Sequence, residues 1–504
     1  MIKLKSFSLN DWKAQFKTII TDYPGFSVGD LNVKQGFERL EQLWLEIKDE
    51  AIVVFEYPYV DPLYRDSYYT YYSAKHRRYE RDCIRIHFFN SSSVSDPADG
   101  SKSYFGFVVL RPTPHRLLGR SHISPELMKR RENAEICLSE VKVQVRGKII
   151  SSVGFPYSSQ DSHTHTCAET CIWSVMEYFS QRYRDYIPVL PSKIRKALES
   201  TYPRRSLPSE GLTSLQISRA LKEFGFGSMI YSIGSSENQK KVFYETIYTY
   251  AESGIPQILT VNNENISHAV VLIGHEVRSV DSINHANSEK LNLYNGQEVD
   301  IIDTASIPGK YIFQDDNHTP YQFAMIENPF EYYQSNSQFQ GAHVVNTVVP
   351  LYPKIHLDAI RARTLAKAVL RDRRFGLEPI KEQGPFTFRL LLTSSKSWKG
   401  FWFPLKDKFG KLGKVFLELA LPKFIWLAEI GLKEHYISNS DSVVGRILMD
   451  ATGDESLRSV LAIQYTNSLF LLDDPSKPQR LEESFPPSVM YRNNLKGAWN
   501  AWKH

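Results

Sequence analysis

One stretch of the chain, residues 160–179, joins a polar loop to an amphipathic helical pattern, QDSHTHTCAETCIWSVMEYF. After the loop, apolar side chains recur at offsets of three and four, the spacing that lines one face of a helix. These side chains are Ala168, Cys171, Ile172, Val175, Met176 and Phe179. Thr166 is followed three residues later by Glu169, which predicts a capping box and therefore a helix start. We expect a helix with one buried face and with Cys167 as its first residue.

The position of Cys167 favours a chemical role for this thiol. At the start of a helix, unpaired backbone N–H groups and the positive end of the helix dipole stabilise a thiolate over a thiol. A larger fraction of the Cys167 side chain is then expected to be thiolate, the reactive form, at neutral pH. Cys171 lies one turn further on, within the apolar stripe, where a cysteine behaves as a small packed hydrophobic residue. We therefore predict that Cys167 is a nucleophile and that Cys171 is structural.

Composition limits the class of protein. At 504 residues the chain is too long for one hydrophobic core, so two or three domains are expected. A net charge of +5 is too small to indicate a nucleic-acid or membrane partner. The four cysteines are few and unevenly spaced, which predicts reduced thiols. Neither an N-terminal apolar segment nor a membrane-length apolar run is visible, so we expect a cytoplasmic protein without membrane association.

Changes of pattern divide the chain into three predicted regions. Residues 1–150 mix helical and strand patterns, residues 151–326 change from helices to strands, and residues 327–504 mix both again. In the middle region, runs of β-branched and aliphatic residues predict strands at Gln257–Val261, His268–Ile273 and Tyr311–Gln314. The polar segment 278–308 between the last two is an insertion or a long hairpin.

The predicted strands carry partners for a nucleophilic thiol. A thiolate needs a base for its proton, and the base needs a group that fixes its tautomer. His268 opens the strand HAVVLIG, and Asp315 follows the strand YIFQ. Gln160 lies seven residues before Cys167, in the loop that can bring its amide toward a developing oxyanion, beside the backbone N–H of Cys167. These residues predict one catalytic set.

The order of Gln160, Cys167, His268 and Asp315 resembles that of the papain-like cysteine peptidases. The greatest similarity is to the bacteriocin-leader peptidases associated with ABC transporters, and it covers about residues 154–323. Two motifs show this similarity. The first is Gln160 followed by CAETCI, which begins at Cys167, and the second is HAVVLIG, which begins at His268. Ala168 stands where that group usually has glycine, and Asp316 stands where proline is common. The choice between Asp315 and Asp316 as orienting acid therefore stays open.

The resemblance implies an α+β fold with a papain-like central domain. A helix bearing Cys167 would pack on an antiparallel sheet bearing His268 and Asp315, between mixed α/β flanking regions. It further implies a bacterial cysteine peptidase that cleaves a peptide or isopeptide bond of a protein or peptide substrate through a thioester, without metal or organic cofactor. A deamidase or transglutaminase type of acyl transferase and a catalytically inactive interaction module are the alternatives.

Other chemical interpretations of the same residues carry less weight. His163, His165 and Cys167 alternate as metal ligands do, but no fourth ligand with finger-like spacing follows. His275 is expected to be a surface histidine at a strand end, and Glu264 to be a turn residue.

Two basic clusters have a similar ambiguity. The run KHRR at 75–78 follows several tyrosines, a pattern that single-stranded nucleic acid can use, but a solvated basic face is the preferred interpretation. The arginine-rich segment 361–374 is likewise predicted to solvate the outer face of a helix, with binding of an acidic partner as the alternative.

Overall fold

The structure is a computed structural model that describes most of the chain. The described residues are 3–8, 16, 20–23, 25–26, 31–90, 104–113, 117–129, 133–145, 147–202, 206–334, 337–436, 442–472, 478–492 and 495–497. Within them, helices stand between runs of consecutive strands, and the strands form three sheets, most of whose neighbouring strands are antiparallel. The predicted α+β class is confirmed at this level.

The helices and strands have the following bounds. The strands are β1 (Lys3–Ser8), β2 (Ala51–Tyr59), β3 (Cys83–Asn90), β4 (Tyr104–Leu110), β5 (Leu118–Ile123), β6 (Ala134–Ile136), β7 (Ser139–Val145), β8 (Lys148–Tyr157), β9 (Met229–Ser232), β10 (Gln257–Asn262), β11 (Ser267–Glu276), β12 (Glu289–Asn292), β13 (Glu298–Asp303), β14 (Tyr311–Gln314), β15 (Gln322–Ala324), β16 (His343–Val349), β17 (Phe386–Ser394), β18 (Phe424–Leu432), β19 (Val443–Asp450), β20 (Val460–Tyr465), β21 (Ser468–Leu471), β22 (Gln479–Leu481) and β23 (Lys496–Gly497). The helices are α1 (Leu31–Glu46), α2 (Pro62–Thr70), α3 (Cys167–Arg182), α4 (Pro191–Leu198), α5 (Ser214–Glu223), α6 (Glu237–Glu252), α7 (Val280–Asn284), α8 (Ala359–Arg371), α9 (Ser395–Trp402) and α10 (Gly410–Glu418).

The N-terminal sheet has the strand order β1-β2-β3-β4-β5-β8-β7. Every pair of neighbours is antiparallel. Its buried side chains share a core with α1, where the ring of Trp44 lies 5.4 Å from that of Phe88. The same core continues to α3, whose Tyr178 stacks on Phe155 of β8 at 5.2 Å. The α3 helix is therefore buried against the N-terminal sheet on one side.

The central sheet has the strand order β15-β14-β11-β10-β16-β9, with β6 also paired to β11. Apolar residues of α3 share a core with Val271 and Ile273 of β11. All residues of α3 from Ala168 to Phe179 are buried, so the predicted single buried face is wrong, because the helix lies between the N-terminal and central sheets. The predicted boundary at residue 326 divides this sheet, because β16 pairs with β10. The boundary at residue 150 likewise separates β6 from the sheet it joins. Strand pairing between distant segments, which local patterns do not encode, causes both differences.

The C-terminal sheet has the strand order β12-β13-β17-β18-β19-β20-β21-β22. Residues of β17 alternate between two cores, with Leu390 and Leu392 facing α8 and Leu391 facing α9 and α10. This is the period of two expected for a sheet covered on both faces. The hairpin of β12 and β13 lies within the predicted polar insertion. It joins the C-terminal sheet, where β13 pairs in parallel with β17 through Ile301 and Phe386.

Buried charges connect the central and C-terminal sheets. The guanidinium of Arg389 on β17 donates to Glu252 of α6 at 2.8 Å and to Glu429 of β18 at 2.9 Å. His275 of β11 lies against the same Glu252, with 2.8 Å between Nε2 and Oε2. His275 is 3% exposed, so its predicted surface position is wrong. The reason is that α6, through Tyr248 and Glu252, and the neighbouring strand β6 cover this end of β11. Glu264 is an exposed bend, as predicted.

The two basic clusters differ in exposure. Residues 75–78 are exposed, as a solvated face requires. On α8, by contrast, Arg363 is buried and donates to Asp303, and Lys367 pairs with Glu289 at 2.8 Å. The predicted solvating role is therefore wrong for these two residues, because the β12 and β13 hairpin supplies acidic partners. Among the described helices, none combines the length and apolarity that crossing a bilayer requires.

Candidate active site

Strand pairing brings His268 and Asp315 together. Because β11 and β14 are antiparallel neighbours, the start of one strand meets the end of the other. His268 is the second residue of β11, and Asp315 directly follows β14. His268 Nε2 lies 2.9 Å from Asp315 Oδ1, and the two side chains are 5% and 0% exposed. The predicted base and orienting acid thus form a buried hydrogen-bonded pair.

The open choice between the two acids is decided by their surroundings. Asp315 Oδ1 also accepts the backbone N–H of Asn317 at 2.8 Å. Its Oδ2 accepts the hydroxyls of Tyr332 and Tyr333 at 3.0 and 2.7 Å. Asp316 Oδ1 is farther from the ring, 3.6 Å from His268 Nε2. The geometry therefore favours Asp315 as the residue that orients the imidazole.

Cys167 is the first residue of α3, as predicted, with Thr166 as the N-cap. The carboxylate of Glu169 accepts the backbone N–H of Thr166 at 3.1 Å and its hydroxyl at 2.6 Å, which completes the capping box. Cys167 is partly exposed, and its thiol is close enough to the ring of His268 to help raise the pKa of that ring. Sulfur, imidazole and carboxylate therefore stand in the order that nucleophilic catalysis needs.

The other three thiols have different environments. Cys83, Cys137 and Cys171 are buried. Burial raises the pKa of Cys137 to about 12 and raises those of Cys83 and Cys171 well above the ordinary range. Cys171 belongs to the core beneath α3, so its predicted structural role is confirmed. Among the four thiols, Cys167 alone is partly exposed.

Electrostatics favours an ionised pair at the site. Burial by itself lowers the pKa of His268, but the carboxylate of Asp315 and the thiol of Cys167 outweigh burial and raise this pKa well above its usual value. Burial would likewise raise the pKa of Asp315, yet His268 and the hydrogen bonds from Asn317 and Tyr333 hold it below its usual range. The carboxylate of Asp315 therefore favours the protonated form of the His268 ring.

An aromatic shell surrounds this pair. The ring of His268 lies 5.8 Å from that of Phe330 and 5.4 Å from that of Phe339. Tyr333 packs on Phe339 at 4.3 Å while it donates to Asp315. The sequence predictions missed these residues because they follow residue 326 and were assigned to another region. The run ENPFEYY at 327–333, rich in aromatic residues just after β15, was the available signal.

Gln160 joins the site through Asn317. The half-buried Gln160 donates from Nε2 to Asn317 Oδ1 at 3.2 Å. Asn317 Nδ2 in turn lies 3.4 Å from His268 Nε2. The side chain of Asn317 therefore lies between the amide of Gln160 and the imidazole. Gln160 itself is on the loop that leads to Cys167. Asn317, two residues after Asp315, was not predicted.

A buried carboxylate shapes the loop between Gln160 and Cys167. Asp161 Oδ1 accepts the backbone N–H groups of His163, Thr164 and His165 at 2.9, 2.6 and 3.0 Å. Burial would raise the pKa of Asp161, but His165 and Arg111 lower it below the usual range.

Arg111 anchors the same loop from the N-terminal sheet. Its guanidinium donates to the carbonyls of Ser159 at 3.1 Å and Gln160 at 3.2 Å. This fixes the backbone on both sides of the predicted oxyanion donor. The sequence did not predict the roles of Arg111 and Asp161. For Asp161, the available signal was the preference of aspartate for turns in which its side chain accepts nearby backbone N–H groups.

The alternative metal ligands do not converge. His163 stacks on Tyr71 at 5.4 Å, and His165 Nε2 lies 3.2 Å from a guanidinium nitrogen of Arg111. Within the described part of the chain, the groups spaced for a metal are Glu135, Glu252 and His275, and His268, Asp315 and Asp316. Neither group includes the alternating residues 163, 165 and 167, so that metal interpretation is wrong.

Comparison with known proteins adds no relative. A scan of protein-family models finds no match for this chain, and a search of curated proteins finds none either. The interpretation of the site therefore rests on its residues and their geometry.

Proposed function

We propose that this protein is a papain-like thiol enzyme that cleaves a peptide or isopeptide bond of a protein or peptide substrate. One observation carries the proposal: the imidazole of His268 bonds the buried carboxylate of Asp315 at 2.9 Å, and the partly exposed thiol of Cys167 is close enough to this ring to help raise its pKa. The similarity of the motifs to bacteriocin-leader peptidases supports the same reaction class. Because the nucleophile must be a reduced thiol and all four cysteines are free, we assign the enzyme to the cytoplasm.

The reaction proceeds in two acyl-transfer steps. The Cys167 thiolate attacks the carbonyl carbon, and a tetrahedral oxyanion forms. The backbone N–H of Cys167 and the amide of Gln160 stabilise that oxyanion. The imidazolium of His268 then donates its proton to the leaving amine as the C–N bond breaks. A thioester on Cys167 remains.

Hydrolysis of the thioester restores the enzyme. Neutral His268 removes a proton from water, and the hydroxide formed attacks the thioester carbonyl. Collapse of the second tetrahedral intermediate breaks the C–S bond and releases a carboxylic acid. The thiolate and imidazolium are then present again, and Asp315 holds the ring in one tautomer throughout.

The test is cleavage of a mixed-sequence peptide library by the full chain, followed by mass spectrometry of the products. We expect new carboxyl termini with the native protein and none with Cys167→Ala. Cys171→Ala is the matched control, because it removes a thiol one turn further along α3 and should retain cleavage. Equal product from the native protein and Cys167→Ala contradicts the proposal.

A second arm separates hydrolysis from acyl transfer. Monodansylcadaverine is added to the same reactions as an amine acceptor. Carboxylic acid products in its presence support the peptidase, whereas fluorescent amide products would assign the chain to the transferases instead. Neither product from any peptide, together with a Cys167 no more reactive than a free thiol, would indicate the inactive interaction module.

A further inference from the structure

A cavity of about 540 Å³ lies far from Cys167, between the central and C-terminal parts of the molecule. Its wall includes the last turn of α3, at Phe179 and Arg182, whereas Cys167 begins the same helix. At a rise of about 1.5 Å per residue, the two ends of α3 are roughly 22 Å apart. The cavity is therefore separate from the candidate active site.

Aromatic rings form two walls of this cavity. Tyr186 and Phe226 stack with 4.3 Å between centroids and an interplanar angle of 11°. Tyr352 and Phe424 form a second ring pair in the lining, with 4.9 Å between centroids. Ile255 adds an aliphatic surface. A volume of this size, lined by rings at a junction between parts of a protein, is typical of small-molecule sites.

The charged side chains of the cavity are mostly cationic. Arg182, Lys396 and Lys423 line it, against one carboxylate, that of Asp185. The ammonium of Lys423 lies 4.4 Å from the centroid of Tyr352 and 3.4 Å from the carboxylate of Asp185. Because this last pair is largely exposed, solvent screens it and an incoming anion can compete for the ammonium.

Hydroxyl groups also line the cavity. Ser394, Ser395 and Ser397 lie where α9 begins, so the positive end of its helix dipole is part of the cavity wall. A lining that combines aromatic rings with cationic and hydroxyl-bearing side chains favours a ligand with a ring and an anionic group. A neutral ring would leave an excess of cationic charge on the wall, because one carboxylate, that of Asp185, faces three cations.

We propose that this cavity binds a small organic anion with an aromatic ring, bearing a carboxylate or a phosphate. The ring lies between the Tyr186 and Tyr352 walls, and the anion contacts Lys423 and the first turn of α9. A ligand held there touches both the central and the C-terminal parts of the chain. This site is independent of the thiol chemistry, so Cys167→Ala should bind the ligand as the native protein does.

The probe for this proposal is 1-anilinonaphthalene-8-sulfonate, an aromatic anion whose fluorescence reports binding to the full-length protein. We expect the native protein to bind the probe at one site. In Ile255→Trp the larger side chain should fill the cavity, so the fluorescence gain should disappear while the melting temperature stays near that of the native protein. Lys423→Gln should weaken binding by about threefold to fivefold, as expected for one partly exposed charge contact. Lys414→Gln, an exposed lysine outside the cavity, is the matched control.

Neutral N-phenyl-1-naphthylamine separates charge from ring binding, because Lys423→Gln should leave its affinity unchanged. Competition by 1-naphthylacetate and by 1-naphthyl phosphate distinguishes a carboxylate from a phosphate ligand, and failure of both to compete contradicts the proposal. Undiminished probe binding by a folded Ile255→Trp also overturns it. If that variant does not fold, the comparison of Lys423→Gln with Lys414→Gln decides, and equal affinities overturn the proposal.

Discussion

Two buried histidine–carboxylate pairs lie on the same strand, β11, seven residues apart. His268 Nε2 is 2.9 Å from Asp315, and His275 Nε2 is 2.8 Å from Glu252. Both histidines are almost fully buried. By distance and burial alone the two pairs are equivalent, so neither property identifies a catalytic base.

The groups behind each carboxylate differ. Asp315 is held by neutral donors, two tyrosine hydroxyls and a backbone N–H, and its histidine interacts with a partly exposed thiol. Glu252 is instead held by the guanidinium of Arg389, which also bonds Glu429. The carboxylate of Asp315 therefore stabilises mainly the imidazole of His268. The carboxylate of Glu252 instead pairs with Arg389 and so helps to join two sheets. A candidate catalytic site is therefore distinguished by a potential nucleophile close to the imidazole, and not by the histidine–carboxylate pair itself.

The largest expected contrast is in activity. His268→Ala should lower kcat/KM by on the order of a thousandfold or more, since nucleophile and base act as a unit. His275→Ala should retain the activity of each folded molecule. Combining His268→Ala with Cys167→Ala should be little worse than either change alone. Peptide cleavage measured beside thermal melts checks this, and comparable activity losses in both histidine variants would make the two pairs equivalent after all.

Stability should show the opposite contrast. Arg389→Met leaves Glu252 and Glu429 buried without their shared cation, which should lower the free energy of unfolding by about 3–5 kcal/mol. Lys411→Met, which breaks an exposed pair with Glu483, should change it by less than about 1 kcal/mol. Denaturant unfolding measures both. A small effect of Arg389→Met would show that the network does not stabilise the junction between the sheets.

The local parts of this comparison could be predicted from sequence, and the nonlocal parts could not. Helical spacing placed the start of α3 at Cys167, and aliphatic runs located β11 and β14, because each pattern lies within one element. The α6 helix was missed, since its sequence ENQKKVFYETIYTYAE is rich in aromatic and β-branched residues that favour strands. Burial of its C-terminal half on all sides, between the central and C-terminal cores, overrides that preference.

The same limit explains the site. Cys167, His268 and Asp315 each stand at the end of an element with a clear local pattern. Tyr332, Tyr333 and the rings beside them reach Asp315 and His268 from a segment that no local periodicity relates to β11. His275 was assigned to the surface because nothing in β11 shows that Arg389, more than a hundred residues later, covers its partner.

The next expected effect is on thiol reactivity. Iodoacetamide at neutral pH should label Cys167 faster than Cys83, Cys137 or Cys171, whose burial opposes ionisation. Because His268 is the proposed acceptor of the thiol proton, His268→Ala should slow labelling of Cys167 severalfold. His275→Ala should leave the rate unchanged. Mass spectrometry of labelled peptides measures it, and equal rates for all four thiols would contradict the nucleophile assignment.

The smallest expected effect concerns the pH dependence of stability. The pKa of Asp315 is lowered in the folded state, so its stabilisation is present above its unfolded value of about 3.9 and is lost as the pH falls through the folded value. The pKa of His268 is raised, so its stabilisation is complete below its unfolded value of about 6.5 and is lost as the pH rises through the folded value. The pair is therefore fully stabilising between about pH 4 and 6.5.

Asp315→Asn keeps a hydrogen-bond acceptor but removes the charge, so it should lower the free energy of unfolding by about 1–2 kcal/mol at pH 5.5. The difference from the native protein should shrink as the pH rises from about 6.5 toward the folded pKa of His268, because the stabilisation of the imidazolium by the carboxylate is lost over that range. Asp316→Asn, whose oxygen is 3.6 Å from the ring, should show a smaller pH-dependent difference. Denaturant unfolding at pH 5.5 and pH 9 measures both variants. A constant difference for Asp315→Asn across this range would mean that its carboxylate stabilises the fold without stabilising the imidazolium, which would remove the electrostatic distinction between this pair and the one at His275.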